Sequence, residues 1–133
     1  MYGKIVRMNN RQEKFKPIII DYSDINKLNN YCFLEVKFKS VKQNCSTNVH
    51  TKTKKIPDFN IFDIEKFSDK SSKLAHMMPK HSFFQDFIKK YNLNTNIILH
   101  ERNGIYSSPR AWWMLTSIGY QNIFILNRAS KDL

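Results

Sequence analysis

Apolar and polar positions along the chain switch repeatedly between a period of two and a period near three and a half. Lys16–Asp21 (KPIIID) is a short β-branched run opened by Pro17 and reads as a strand. Tyr22–Asn30 places Ile25 and Leu28 three apart behind a candidate N-cap at Ser23, and it stops at Asn29–Asn30. Tyr31–Phe38 (YCFLEVKF) is aromatic and β-branched and reads as a second strand. Residues 40–55 are polar without periodicity, which predicts a loop. Asn60–Ile64 (NIFDI) predicts a short buried strand, and residues 67–80 are irregular and broken by Pro79. The signals then sharpen. His81–Tyr91 sets Phe83, Phe84, Phe87 and Tyr91 at helical spacing, with Ser82 as N-cap. Asn96–His100 (NIILH) is a strand, and residues 101–106 form a loop containing Gly104. Ser107–Gly119 is a helix capped by Ser107 or Ser108, with Pro109 in its first turn and Gly119 at its end. Asn122–Leu126 (NIFIL) closes the series. Strands joined through helices by short connections make right-handed βαβ units. The expected class is α/β, a parallel β-sheet flanked by helices on both faces.

Length and composition narrow the reading. The chain of 133 residues suits one hydrophobic core. No apolar run reaches the roughly 18 residues of a membrane span. The first residues are basic but lack an apolar signal core, so the expected location is the cytoplasm. Cys32 and Cys45 make neither a disulfide framework nor a zinc site, and no metal or cofactor is expected. The formal charge of +11 is uneven: residues 1–55 hold 12 of the 22 Lys and Arg but only 4 of the 11 Asp and Glu. Such a stretch attracts polyanions. Abundant Lys, Asn and Ile with scarce Gly and Ala are also what a biased base composition produces, so nucleic acid is not the favoured partner.

The densest chemistry lies in residues 97–115, IILHERNGIYSSPRAWWML. A buried strand there feeds a tight loop that opens onto a helix N-terminus. Backbone N–H groups and the helix dipole can then cradle an anion or a thiolate. An ordinary βα turn, with Trp112, Trp113, Leu115 and Ile118 in the core, fits the same residues. Cys32 sits in an apolar strand, where a thiol behaves as a small hydrophobe. Cys45 lies in a polar loop with no helix N-terminus after it to stabilise a thiolate.

Two blocks carry a family resemblance. Ile56, Pro57, Phe62, Asp63, Ile64, Ser68, Asp69, Leu74, His76, Met77 and Pro79 form the first. Gly104, Ser107, Pro109, Arg110, Trp112, Trp113 and Met114 form the second. In order and spacing over about 70 residues they resemble the N-terminal rhodanese-like domain of the two-domain thiosulfate and 3-mercaptopyruvate sulfurtransferases. The resemblance implies a rhodanese-like fold over residues 16–133, preceded by a basic extension over 1–15. It implies sulfur transfer from thiosulfate or 3-mercaptopyruvate, through a persulfide on Cys, to cyanide or a thiol. In this family the Cys lies in the C-terminal domain, and the matching loop position of the N-terminal domain usually carries Asp. Here that position is Glu101, and a carboxylate cannot carry sulfane sulfur. The chain is therefore expected to be catalytically empty by itself.

Further expectations follow from the same resemblance. His76 and Arg110 match positions facing the cleft between the two domains, where they meet a small anionic sulfur donor, and Arg102 lies beside Glu101 in the loop. Lys54, Lys55, Asp58 and Phe59 depart from the family around Ile56–Pro57, and Asn127, Arg128 and Ala129 depart after the last strand. A separate C-terminal sulfurtransferase domain is the expected partner, which makes this half of an enzyme or a truncated copy. A non-catalytic binding module with weak nucleic-acid affinity in its basic N-terminal part is the alternative.

Overall fold

The computed structural model describes residues 17–38, 55–56, 58–74 and 77–133. Among these, five strands form one sheet: β1 (Ile19–Ile20), β2 (Tyr31–Lys37), β3 (Asn60–Asp63), β4 (Asn96–His100) and β5 (Ile123–Leu126). Their spatial order is β1-β5-β4-β2-β3, and every pairing is parallel. Two α-helices, α1 (Gln85–Lys90) and α2 (Ser108–Ser117), lie among short 3-10 turns at Tyr22–Lys27, His81–Phe84 and Ser130–Asp132.

The alternation of side chains along a strand sorts the core into two layers. Leu34, Val36, Ile97, Leu99, Ile123 and Ile125 point to one face. They pack there with Phe62, Phe84, Ala111, Met114 and Leu115 under α1 and α2. Phe33, Ile98, Phe124 and Leu126 point to the other face, where Ile25 of the first 3-10 turn and Ile56 cover them. Both faces are covered, which is why β4 and β5 read as unbroken apolar runs. Phe62, Ile97, Leu99 and Leu115 are wholly buried. Each such side chain contributes about 1.5–3 kcal/mol relative to an exposed position. The expected class, a parallel sheet with helical segments on both faces, is the observed one.

The strands fall close to their expected positions, while the helix caps do not. The turn at Tyr22–Lys27 starts two residues early, so Asp21 is its N-cap and Ser23 sits inside the first turn without capping it. Ser82 is likewise inside a 3-10 turn that runs straight into α1. The turn ends at Lys27, with Leu28 already extended, and Asn30 takes the chain into β2 with a positive φ of 51°; Gly119 ends the helical run after α2 with φ 113°. β3 is an edge strand rather than a buried one: Asn60 and Ile61 are exposed and only Phe62 is fully enclosed. Trp113, expected in the core, is 45% exposed. The extension at residues 1–15 and most of the polar loop at 40–55 lie outside the described residues.

β2 leads outward to β3 and β4 leads outward to β5, so the direction of winding reverses between β2 and β4. Open α/β sheets place their ligand crevices outside the strand C-termini at such a point. The loop that follows β4 opens there.

Candidate functional site

β4 ends at His100, the chain turns through residues 101–107, and α2 begins at Ser108. Gly104 carries φ 138°, a conformation that L side chains rarely adopt, and a Cβ there would stand 3.3 Å from the Tyr106 ring. The loop folds back over its own first residue. The Glu101 carboxylate, 8% exposed, accepts the N–H of Tyr106 at 2.8 Å, of Ser107 at 2.9 Å and of Ser108 at 3.0 Å. It also accepts the hydroxyls of Ser107 at 2.5 Å and Ser108 at 2.7 Å. Five donors thus converge on two oxygens at the N-terminus of α2, where the helix dipole favours negative charge. Ser107 occupies the N-cap position and makes no side-chain cap bond. The expectation that Ser107 or Ser108 caps the helix is therefore corrected: an ionised acceptor outcompetes a hydroxyl, and both serines donate to it instead.

The base of the loop is braced from the C-terminal end. Ser130, itself buried, donates its N–H at 2.8 Å and its hydroxyl at 3.0 Å to the Glu101 carbonyl. Lys131 donates its N–H to the Arg102 carbonyl at 3.2 Å. The segment after β5 thereby closes over the loop. Nothing in the local sequence of residues 127–133 announced this role, because the contact joins positions about 30 apart.

Of the cleft candidates, Arg110 and Arg102 belong to this one loop–helix unit. Arg110 lies in the first turn of α2, half-buried, with its guanidinium 4.7 Å from the Trp113 ring centroid. Tyr106 and Trp113 are exposed, 74% and 45%, so the unit presents aromatic surface beside its cation. Arg102 is half-buried. His76 lies outside the described residues, although its neighbours Leu74 and Met77 are both exposed.

Among the described residues the one thiol gives no alternative centre. Cys32 is half-buried on β2, and burial pushes its thiol up, away from the thiolate that nucleophilic chemistry requires. Cys45 lies outside the described residues. Among the described residues no group of three His, Cys, Asp or Glu is placed to hold a metal ion, and no helix is long and apolar enough to cross a membrane. The burial of two polar residues was not expected from the sequence: His100, 1% exposed, and Glu35, its register partner on β2. The arrangement as a whole is an anion cradle, filled from within by the chain's own carboxylate.

No family model matches the chain. In sequence it is similar to the 3-mercaptopyruvate sulfurtransferase of Escherichia coli K12, 37% identical over 73 residues that make up 53% of this chain and 26% of that protein. It is similar to the "Probable 3-mercaptopyruvate sulfurtransferase" of Schizosaccharomyces pombe, 32% identical over 77 residues, 56% of this chain and 26% of that one. The thiosulfate sulfurtransferase of Gallus gallus is 31% identical over 85 residues, 61% and 29% of the two chains. Among solved structures, SseA of Escherichia coli, a 3-mercaptopyruvate sulfotransferase with the rhodanese fold, superposes with a TM-score of 0.65 and 25% identity. That match covers 84% of this chain and 46% of that one. Tum1 of Saccharomyces cerevisiae superposes with a TM-score of 0.65 and 24% identity, over 83% and 39%. The matched segment is thus about a quarter of the curated relatives' length. The fold is the rhodanese fold, and the chain resembles the N-terminal rhodanese-like domain of these sulfurtransferases.

Proposed function

We propose that this chain forms the non-catalytic N-terminal rhodanese-like domain of a sulfurtransferase that takes sulfane sulfur from 3-mercaptopyruvate or thiosulfate and delivers it to cyanide or a thiol. One observation carries the non-catalytic part. The loop that follows β4 and opens onto α2 has five donors committed to Glu101. A carboxylate has no sulfur to attack with and cannot be persulfurated. The nucleophilic Cys then comes from a catalytic rhodanese-like half, on the same polypeptide or another. In that half a Cys thiolate attacks the donor's outer sulfur, the bond to sulfite or pyruvate breaks, and a persulfide remains. Cyanide or a thiol removes the sulfur and restores the thiolate.

The present domain contributes a wall. Arg110, stacked on Trp113 at the start of α2, offers a planar fork of donors to an anionic donor molecule. Arg102, next to Glu101 in the same loop, and His76, a position of the first block that carries the family resemblance, are the other candidates for this wall. The sequence similarity to several sulfurtransferases and the fold both support this reading. Thiocyanate formation is the test, with thiosulfate and then 3-mercaptopyruvate as donor. The chain is assayed alone and mixed with a purified C-terminal sulfurtransferase half. Activity in the mixture above that of the half alone, lowered by Arg110→Ala, is expected. Equal activity with and without the chain would reject the wall role.

A further inference from the structure

β4 ends on a residue that its surroundings suit only in one charge state. His100 is 1% exposed, and among the described residues neither ring nitrogen has a hydrogen-bond partner. Its walls are aromatic: Phe33 meets the imidazole edge-to-face at 5.9 Å between centroids, and Phe59 does so at 5.1 Å. A neutral imidazole tolerates such a box as an aromatic ring. An imidazolium carries two N–H donors that need acceptors, and among the described residues neither ring nitrogen is hydrogen-bonded to one.

The charged groups around it do not relieve this. On β2, Glu35 is the register partner of His100 and is buried, yet it makes no hydrogen bond with the imidazole. In the loop, the adjacent Glu101 carboxylate is held by Tyr106, Ser107 and Ser108. Near Phe59, Lys55 and Asp58 are exposed to water. From β5, Phe124 and Leu126 bring no charge to this face, and in the C-terminal turn Lys131 and Asp132 are exposed. Burial pushes the imidazole pKa down to about 4, with the Glu101 carboxylate pulling in the opposite direction.

We propose that His100 is an acid-sensitive latch on the filled cradle: a proton on its imidazole expels the end of β4 from the core and frees the Glu101 loop from α2, while the rest of the sheet stays paired. The opening is local because His100 is the last residue of its strand and is followed at once by the loop. Residues 97–99 of the same strand remain enclosed on both sides by β2 and β5. The inference rests on the reading of residues 101–108 as a filled cradle and not on sulfur transfer, so its test uses no activity.

Hydrogen-exchange protection of the Tyr106, Ser107 and Ser108 amides is followed from about pH 7.5 to about pH 4, corrected for intrinsic exchange. Protection should fall about tenfold per pH unit below the ordinary imidazole value of about 6.5, and stay flat in His100→Phe. The Ile98 and Ile125 amides should keep theirs in both proteins. Parallel loss at Ile98 and Ile125 would mean global unfolding and overturn the latch. An unchanged profile in His100→Phe would overturn it too. Should that variant fail to fold, the His100 ring resonances of the native chain decide: titration near the ordinary value contradicts the proposal, and titration well below it supports it.

Discussion

Replacing Glu101 should cost more stability than any other single change at the loop. In Glu101→Ala the N–H groups of Tyr106, Ser107 and Ser108 and the hydroxyls of Ser107 and Ser108 lose their acceptor. They do not lose it equally. Tyr106 is 74% exposed and its stretch of loop can hydrate, whereas Ser108 is 1% exposed and cannot. A buried donor left without a partner costs about 1–3 kcal/mol, and Ser108 supplies two of them, so Glu101→Ala should lose about 4 kcal/mol. Glu101→Gln retains one oxygen acceptor but turns an amide NH2 toward the remaining donors, and it should lose about 2 kcal/mol. Urea unfolding followed by Trp112 and Trp113 fluorescence reads both values, since α2 carries these residues. The midpoint should fall with an unchanged slope. An added small anion such as formate should stabilise Glu101→Ala more than the native chain, because it can occupy the vacated oxygens' place. If Glu101→Gln unfolds within about 0.5 kcal/mol of the native chain, the five contacts are not worth what their geometry implies, and the cradle argument fails.

Three further outcomes bear on the same account. Glu101→Cys places a thiol among donors suited to an anion, so it should react with iodoacetamide faster than Cys32. On thiosulfate it should gain one sulfur with release of sulfite, read by intact mass. A thiol there as inert as Cys32 would show that the cradle does not stabilise a thiolate. Ser130→Ala removes the hydroxyl bond to the Glu101 carbonyl while leaving the N–H bond, and it should cost about 1 kcal/mol by urea unfolding; no loss would make the C-terminal brace incidental. Phe62→Ala, at a wholly buried ring stacked 4.8 Å from Phe67, should cost about 3–5 kcal/mol in the same experiment, and a loss under about 1 kcal/mol would contradict the described core.

The central strands were legible because both of their faces are covered. Ile97, Ile98 and Leu99, then Ile123 to Leu126, are apolar without alternation, and the structure buries every one. The stop signal at Gly119 was legible because that position takes a positive φ that few residues tolerate. Caps were misread because three serines look alike in sequence while their acceptors differ. Ser23 and Ser82 fell inside turns, and Ser107 found a carboxylate six residues back. Glu101 was singled out by family position, and geometry added why it stays there: five donors hold it. The brace by Ser130 and the paired burial of Glu35 and His100 were invisible in the sequence. They arise from register between strands and from a return of the chain, neither of which leaves a local pattern.

The claim that this domain carries no sulfur itself is tested most directly by incubating the chain with thiosulfate or 3-mercaptopyruvate, removing the donor, and weighing the protein intact. The account predicts an unchanged mass and no thiocyanate when cyanide is then added. A gain of one sulfur, released by cyanide and abolished by Cys45→Ser or Cys32→Ser, would contradict it.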